Sequence, residues 1–168
     1  MDCLIAIIGY SNSGKTTLIE ALVPVLKSRG YRVGTIKHTH HFPEPDSPGK
    51  DSWRHFEAGS DTAMLASDTT LAMIKHRRLT ARSDEGLGEL AAYFGDVDVV
   101  IAEGFKAADC PKIEVYRATA EENPPLCRRV KAVIAVVTDE RASFPVRRFG
   151  FDQLPELVEL IERTILKQ

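Results

Sequence analysis

The segment that decides the fold is Gly9-Tyr10-Ser11-Asn12-Ser13-Gly14-Lys15-Thr16. It matches the pattern G-x-x-x-x-G-K-[S/T] of the phosphate-binding loop at every defined position. The preceding run, Cys3 to Ile8, is short, apolar and rich in β-branched residues, which is typical of a buried parallel strand. The residues from Thr17 to Leu22 carry apolar side chains at helical spacing. Strand, glycine loop and helix in this order are the context that the motif needs.

The residue types of this loop suit a nucleoside triphosphate. Glycines let the backbone wrap closely around phosphates, and the N-terminus of the following helix directs N–H groups and a positive dipole end at them. Lys15 can reach the β- and γ-phosphates, and the Thr16 hydroxyl can ligate Mg²⁺. We therefore assign nucleotide binding to residues 9–16 and to the adjoining Thr17.

Composition narrows the functional classes. The chain has 168 residues and a formal net charge of −2. This length predicts one domain, residues 1–168, and the charge gives no basic field that would favour nucleic acid as a partner. No apolar run reaches membrane-spanning length, and the start of the chain lacks the pattern of a signal peptide, so we expect neither. Three scattered cysteines without C-x-x-C spacing argue against a disulfide framework or a zinc site and favour a reducing cytoplasm.

The remaining patterns predict an α/β protein. We expect the three-layer fold of P-loop NTPases, with a mostly parallel sheet flanked by helices and a small antiparallel strand addition. The predicted strands cover residues 3–8, 31–37, 97–104, 112–116 and 132–137, and a hairpin covers 62–66 and 70–75. The predicted helices run from the glycine loop to residue 29 and over 51–58, 84–94 and 152–166. Residues 112–116 alternate between polar and apolar, which predicts a half-exposed strand.

Two acids on the predicted strand 97–104 compete as partners of Mg²⁺. At about 3.3 Å per residue, Asp98 and Glu103 stand roughly 16 Å apart along the strand. A parallel neighbour of the first strand has its carboxyl end beside the phosphate loop. Glu103, at that end, is therefore the predicted Mg²⁺ residue, and Asp98 is predicted to be a capping or surface acid.

The region after the second strand offers further candidates, each with a simpler alternative. Lys37 ends that strand, where it can neutralise phosphate charge or remain a solvated lysine. Asp51 at a predicted helix start can supply a second carboxylate to Mg²⁺ or cap the helix. His38, His40 and His41 suggest a transition-metal site, but no cysteine or tight acidic pair completes a ligand set, and a polar loop is the competing interpretation.

Asp139 is the candidate for base recognition. It follows the predicted buried strand 132–137, at the edge where ligands bind to open α/β sheets. A carboxylate there can accept hydrogen bonds from the N1–H and the N2 amino group of guanine, which adenine lacks. The usual N-K-x-D guanine signature is absent, and capping of a helix is the alternative role.

Four blocks, at these spacings, resemble the molybdopterin-guanine dinucleotide biosynthesis adapter proteins, the MobB family. The blocks are residues 9–16, Gly34-Thr35-Ile36-Lys37-His38, Pro48-Gly49-Lys50-Asp51-Ser52 and Glu103-Gly104-Phe105-Lys106. The resemblance implies a cytoplasmic, homodimeric GTP-binding protein with weak GTP hydrolysis. It also implies a partner, the enzyme that attaches GMP to molybdopterin, and contact with molybdopterin or a molybdoenzyme stays open.

The pair Glu103-Gly104, which ends the predicted strand 97–104, and Lys37 also resemble residues of dethiobiotin synthetase and its relatives. That resemblance implies Mg²⁺ ligation by Thr16, Asp51 and Glu103. If hydrolysis occurs, Lys15 and the ion that Glu103 holds are expected to stabilise the charge that develops on the γ-phosphate. The alternative function is a P-loop small-molecule kinase or ATP-dependent ligase, with Lys37 and the loop 38–51 forming the acceptor site.

Overall fold

The computed structural model describes residues 3–39, 49–75, 86–118 and 123–166. The chain divides into two compact units. The first contains Met1–His38 and Ala81–Gln168, and the second contains Thr39–Thr80. Each unit is built around its own sheet.

The first unit contains a six-stranded sheet in which every neighbouring pair is parallel. Its strands are β1 (Leu4–Ile8), β2 (Val33–Lys37), β5 (Val99–Glu103), β6 (Lys112–Val115), β7 (Val133–Val137) and β8 (Arg147–Phe149), in the order β2-β5-β1-β6-β7-β8. Its helices are α1 (Lys15–Ser28), α3 (Leu87–Ala91) and α4 (Leu154–Ile165), with a 3₁₀ turn at Leu126–Arg128. The order places β1 between β5 and β6, so the phosphate loop emerges where three strands end.

Two apolar cores cover the two faces of this sheet. On one face, Ile5 and Ile7 of β1 belong to a buried cluster with apolar residues of α1 and α4. On the other face, Leu4, Ala6 and Ile8 belong to a cluster that includes Leu87 of α3. Alternate residues of one strand therefore point into different cores, which explains why β1 is apolar throughout. The predicted mostly parallel sheet flanked by helices is confirmed.

The prediction for β6 is wrong in its exposure. All four residues of β6 are buried, because the strand lies between β1 and β7 rather than at an edge. Its polar side chains are satisfied internally: Lys112 Nζ donates to the carbonyls of Ala108 (2.6 Å) and Cys110 (2.9 Å). The alternation of polar and apolar residues in β6 therefore comes from two buried charged residues, Lys112 and Glu114, and not from a side of the strand that faces solvent.

Two other elements differ from the predictions. β8 was not predicted, since its sequence is a pair of arginines followed by Phe149; both arginines are exposed and Phe149 is buried. α3 ends at Ala91, short of the predicted Phe94, and the predicted start of that helix lies outside the described residues. Phe94 packs instead against β2, where a Cβ on Gly34 would lie 2.5 Å from its ring.

The second unit contains the predicted helix and hairpin. α2 covers Asp51–Glu57, and Gly59 follows it with a positive φ of 97°. β3 (Thr62–Ala66) and β4 (Leu71–Lys75) pair antiparallel. The predicted antiparallel addition is confirmed.

The three cysteines are free thiols. Burial raises the pKa of Cys110, and burial together with the charge of Glu114 raises the pKa of Cys127 to about 11. In the part of the chain that the structure describes, no helix has the length and apolarity needed to cross a membrane.

Candidate nucleotide-binding site

A cleft of about 480 Å³ opens at the carboxyl end of β1 in the first unit. It is lined by residues that follow or end four of the parallel strands: Ser11, Asn12, Gly14, Lys15, Thr16, Thr17, Lys37, Glu103 and Arg117. Eight of these nine residues were singled out by the sequence. The exception is Arg117.

The loop between β1 and α1 needs special backbone conformations. Asn12 and Gly14 have positive φ angles of 58° and 99°, in the region that asparagine and glycine tolerate best. Gly9 allows a close approach, because a Cβ there would lie 2.5 Å from both Ser13 Oγ and the carbonyl oxygen of Val115. These residues turn the chain so that α1 begins at Lys15 and its first N–H groups have no intrahelical partner. The loop therefore presents hydrogen-bond donors at a positive helix end.

Lys15 is the half-buried cation of this loop. Its Nζ donates a hydrogen bond of 2.6 Å to the carbonyl oxygen of Tyr10. Burial lowers the pKa of Lys15; the charge of Glu103 raises it, and those of Lys106 and Lys37 lower it further. An anion beside Lys15 would offset the desolvation and favour its charged form.

Glu103 and Thr16 face each other across the strand ends. Thr16 Oγ1 lies 3.1 Å and 3.0 Å from the two carboxylate oxygens of Glu103, to which it donates. Lys37 is the register partner of Glu103 on β2, and its Nζ lies 3.5 Å from Glu103 Oε1. The side chain of Glu103 is only 13% exposed, whereas that of Lys37 is 64% exposed. β2, β5 and α1 together produce this cluster.

The donor set fits Mg²⁺. This ion prefers oxygen ligands and is usually held by one or two carboxylates, with water and substrate phosphates completing its octahedron. Glu103 supplies a carboxylate and Thr16 a hydroxyl on neighbouring sides of one opening. No cluster of three or more His, Cys, Asp or Glu side chains suited to a metal occurs within residues 3–39, 49–75, 86–118 and 123–166.

Ser13 carries a buried polar atom in the phosphate loop. Its Oγ is buried and finds no hydrogen-bond partner among the described residues. Buried hydroxyls are nearly always hydrogen-bonded, because leaving one unpaired is costly. A phosphate oxygen held in the loop would satisfy this group.

The remaining loop residues act through their backbone or through other contacts. Tyr10 directs its hydroxyl to the carbonyl oxygen of Pro124 (3.0 Å) and accepts a hydrogen bond of 2.7 Å from Arg129. The Nζ of Lys106 lies 5.1 Å from the centre of its ring. Gly9, Tyr10 and Ser13 do not line the cleft themselves, and instead shape the loop that does.

The other candidates have different surroundings. Asp139 is exposed just beyond β7 and does not line the cleft; the neighbouring Thr138 hydroxyl accepts the backbone N–H of Glu140 at 3.0 Å. Asp51 begins α2 in the second unit, 90% exposed, with an oxygen 3.7 Å from Arg54 Nη1. His40 and His41 lie outside the described residues. The ring of His38 meets that of Phe105 edge-on at 5.6 Å.

Asp98, predicted to be a capping or surface acid, is paired with Arg32 at the end of β5 away from the cleft. It accepts from the backbone N–H of Arg32 at 2.7 Å and from the guanidinium at 2.9 Å and 3.2 Å. The side-chain hydrogen bond from Arg32, followed by the backbone hydrogen bond, lowers the pKa of Asp98 to about 2. Asp98 thus links the start of β5 to the residue before β2.

Arg117 was missed because β6 was taken for a half-exposed strand. With β6 beside β1, the second residue after it lies at the phosphate loop. The guanidinium carbon of Arg117 lies 5.5 Å from the centre of the Phe151 ring. The order of the strands, rather than any local pattern, brings this cation to the cleft.

The chain is similar to known proteins over most of its length. The family model described as molybdopterin guanine dinucleotide synthesis protein B matches residues 4–139. The chain is 38% identical over 164 residues to the molybdopterin-guanine dinucleotide biosynthesis adapter protein of Haemophilus influenzae, covering 96% of this chain and 89% of that protein. The protein of the same name from Escherichia coli is 34% identical over 170 residues, covering 98% and 94%.

The fold has solved counterparts. The crystal structure of Bacillus subtilis MobB is similar with a TM-score of 0.73 and 28% identity, covering 98% of this chain and 99% of that one. The crystal structure described as molybdopterin-guanine biosynthesis protein B is similar with a TM-score of 0.72 and 32% identity, covering 98% and 99%. The similarity in sequence and the similarity in structure therefore both extend over nearly the whole chain.

Proposed function

This chain belongs to the family of molybdopterin guanine dinucleotide synthesis protein B, and we propose that it is an adapter of that synthesis which binds GTP with Mg²⁺. In this proposal it works in the cytoplasm as a homodimer and assists the enzyme that attaches GMP to molybdopterin. Its own hydrolysis of GTP is slow.

The contact between Thr16 and Glu103 carries the proposal. It joins the last residue of the phosphate-loop motif to the carboxylate at the end of β5, at 3.0–3.1 Å, beside the half-buried Lys15. A carboxylate would be an unfavourable neighbour for phosphate without a cation between them. We therefore infer that Thr16 and Glu103 hold Mg²⁺ in this site. When bound, the ion neutralises phosphate charge.

The other groups of the cleft suit the phosphates. Lys15 and Lys37 supply positive charge, and α1 supplies its first backbone N–H groups. The lining includes one carboxylate, Glu103. Because the proposal commits Glu103 to the ion, no described lining carboxylate remains to orient an attacking water, so slow turnover is expected.

Asp139 is proposed to select guanine. Its exposed position beyond β7 leaves the carboxylate available to accept from the N1–H and N2 amino group of the base. A site that hydrogen-bonds a polar edge discriminates strongly against a base that lacks it, because its own group is then left unpaired.

Calorimetric titration with GTP and ATP tests the proposed function. In the presence of Mg²⁺ we expect GTP to bind at least about tenfold more tightly than ATP, which corresponds to one good polar contact. Asp139→Asn should reduce this preference, whereas Glu140→Gln, the adjacent control, should not. Equal affinity of the unmodified protein for both nucleotides would contradict the guanine assignment.

The adapter role is tested with the purified GMP-transferring enzyme. We expect the unmodified chain to increase formation of the guanine dinucleotide, and Lys15→Ala to lose this effect together with GTP binding. Hydrolysis is measured in the same reactions. A rapid GTP or ATP turnover, or transfer of phosphate to a small acceptor, would instead favour a kinase or ligase.

A further inference from the structure

Arg117 and Glu103 lie on opposite sides of the phosphate loop. β1 pairs with β5 on one side, which ends at Glu103, and with β6 on the other side, two residues before Arg117. Both side chains line the same cleft. If the triphosphate and its ion lie toward Glu103 and Lys37, the rest of the nucleotide extends toward Arg117. This reasoning rests on the proposed nucleotide function.

Arg117 is supported from behind by an aromatic ring. Its guanidinium carbon lies 5.5 Å from the centre of the Phe151 ring. Both side chains approach Gly14: a Cβ there would lie 3.6 Å from Phe151 Cζ and 3.8 Å from Arg117 Nη2. Phe151 is partly buried and packs against the core that α1 and α4 share. The ring therefore backs the guanidinium at the edge of the phosphate loop.

We propose that Arg117, backed by Phe151, is the surface on which the purine base of the bound nucleotide stacks. A guanidinium group is planar and weakly hydrated, and it stacks on aromatic faces more readily than an ammonium does. The side chain of Arg117 is exposed toward the cleft, and none of the described carboxylates forms an ion pair with it. Its guanidinium group is therefore not held in a salt bridge with any described residue.

The neighbouring strand ends fit a base at this position. The backbone N–H of Tyr116 donates to the carbonyl oxygen of Val137 at 3.0 Å, which continues the ladder of β6 and β7 beyond their ends. Arg117 and Asp139 are each the second residue beyond the end of one of these adjacent strands, at one edge of the sheet. Stacking by Arg117 and hydrogen bonding by Asp139 address different parts of the same base, its face and its edge.

If Arg117 stacks on the base, it contributes to nucleotide affinity but not to the preference for guanine over adenine. Every purine has a flat π-face, so stacking contributes similarly to adenine and guanine nucleotides. Loss of Arg117 should weaken GTP and ATP by the same factor and leave their ratio unchanged. A phosphate contact by Arg117, in contrast, would also strengthen the binding of inorganic triphosphate, which has no base.

The test titrates Arg117→Ala and Arg117→Lys with GTP, ATP and inorganic triphosphate in the presence of Mg²⁺. We expect Arg117→Ala to weaken both nucleotides on the order of tenfold, which matches the loss of one stacking partner. Binding of inorganic triphosphate should not change. Arg117→Lys keeps the charge but loses the plane, so it should also weaken both nucleotides.

Arg147→Ala is the matched control. Arg147 is likewise an exposed arginine over a phenylalanine, with its guanidinium carbon 4.8 Å from the centre of the Phe149 ring, but it does not line the cleft. It should bind all three ligands as the unmodified protein does. Equal weakening of nucleotides and triphosphate, or unchanged nucleotide affinity, in Arg117→Ala would overturn the stacking role. If the unmodified protein bound neither nucleotide, the proposed function itself would fail.

Discussion

The protein carries a lysine and a glutamate at each of two places beside β1, and their surroundings differ. Lys112 and Glu114 lie on β6, where they are 2% and 0% exposed. Lys15 and Glu103 lie at the cleft, where both remain partly accessible. Side chains of the same chemical types, on neighbouring elements, therefore have different roles.

The β6 residues are satisfied by the backbone. Glu114 accepts from the N–H groups of Leu126 (2.6 Å) and Cys127 (2.7 Å), so it holds the start of the 3₁₀ turn. Lys112 donates to two carbonyl groups in the segment before its own strand. Backbone partners are fixed by the fold, which makes these charges part of the structure rather than of a ligand site.

The cleft residues depend less on backbone partners than the β6 residues do. Glu103 contacts the Thr16 hydroxyl and the exposed Lys37, and Lys15 has one carbonyl group, that of Tyr10. An ammonium group has three hydrogens to donate. The comparison of the two pairs shows that burial alone does not identify a charged residue that serves a ligand. A charged side chain that lacks a full set of hydrogen bonds and borders an opening is the better indicator.

Glu114→Ala should have the largest effect, and it should act on stability. The variant leaves the buried N–H of Leu126 and the partly buried N–H of Cys127 without acceptors, so the free energy of unfolding should fall by about 3 kcal/mol. Denaturation with urea measures this change. Glu103→Ala, the matched control, should lose much less stability, because its partners, the Thr16 hydroxyl and the exposed Lys37, can turn to water instead. Comparable losses of stability in Glu114→Ala and Glu103→Ala would contradict the distinction between the buried residues of β6 and the residues of the cleft.

Lys15→Ala should have the next largest effect, and it should act on binding. Removing a desolvated cation that faces phosphate should weaken GTP in the presence of Mg²⁺ by about 100-fold. Its stability should stay near that of the unmodified protein, because Lys15 has only one hydrogen bond to lose. Lys27→Ala, an exposed lysine in the last turn of α1, serves as the control in the same titrations. Unchanged GTP affinity in a folded Lys15→Ala variant would rule out the phosphate contact.

Most of the residues of the cleft were predictable from local sequence patterns and from the direction of the parallel strands. The phosphate loop follows from spacing, and Glu103 follows because parallel strands bring their carboxyl ends to one edge. The same reasoning assigned Asp98 to the far end, where it pairs with Arg32.

The misjudged features depend on contacts between distant parts of the chain. Alternating polarity predicts an exposed face only where no internal partner exists, and Glu114 finds its partners twelve and thirteen residues away. The position of Arg117 depends on β6 being inserted between β1 and β7, which no local pattern indicates. β8 is short and carries arginines, so it resembled a solvated basic pair.

Glu103→Gln sharpens the comparison by removing charge while keeping size. With Mg²⁺ present, GTP affinity should fall about tenfold, because a neutral amide is a poorer ligand for a hard cation. With a chelator present, affinity should stay the same or rise, since the carboxylate no longer repels phosphate. Asp98→Asn is the control and should leave both titrations unchanged. An equal loss with and without Mg²⁺ would indicate that Glu103 acts on the loop rather than on the ion.

The smallest effect is expected for Asp98→Asn, and it depends on pH. Arg32 lowers the pKa of Asp98 to about 2, whereas an aspartate in the unfolded chain has a pKa of about 4. The charged form is thus favoured by folding, so its contribution is complete above pH 4 and is lost as the pH falls toward 2. The melting temperature of Asp98→Asn should be slightly lower than that of the unmodified protein at pH 7. Because the pair is exposed and screened by solvent, this difference should be modest and should disappear near pH 2. A difference that persisted at pH 2 would show that Asp98 acts through its shape and its hydrogen bond with the backbone rather than through its charge.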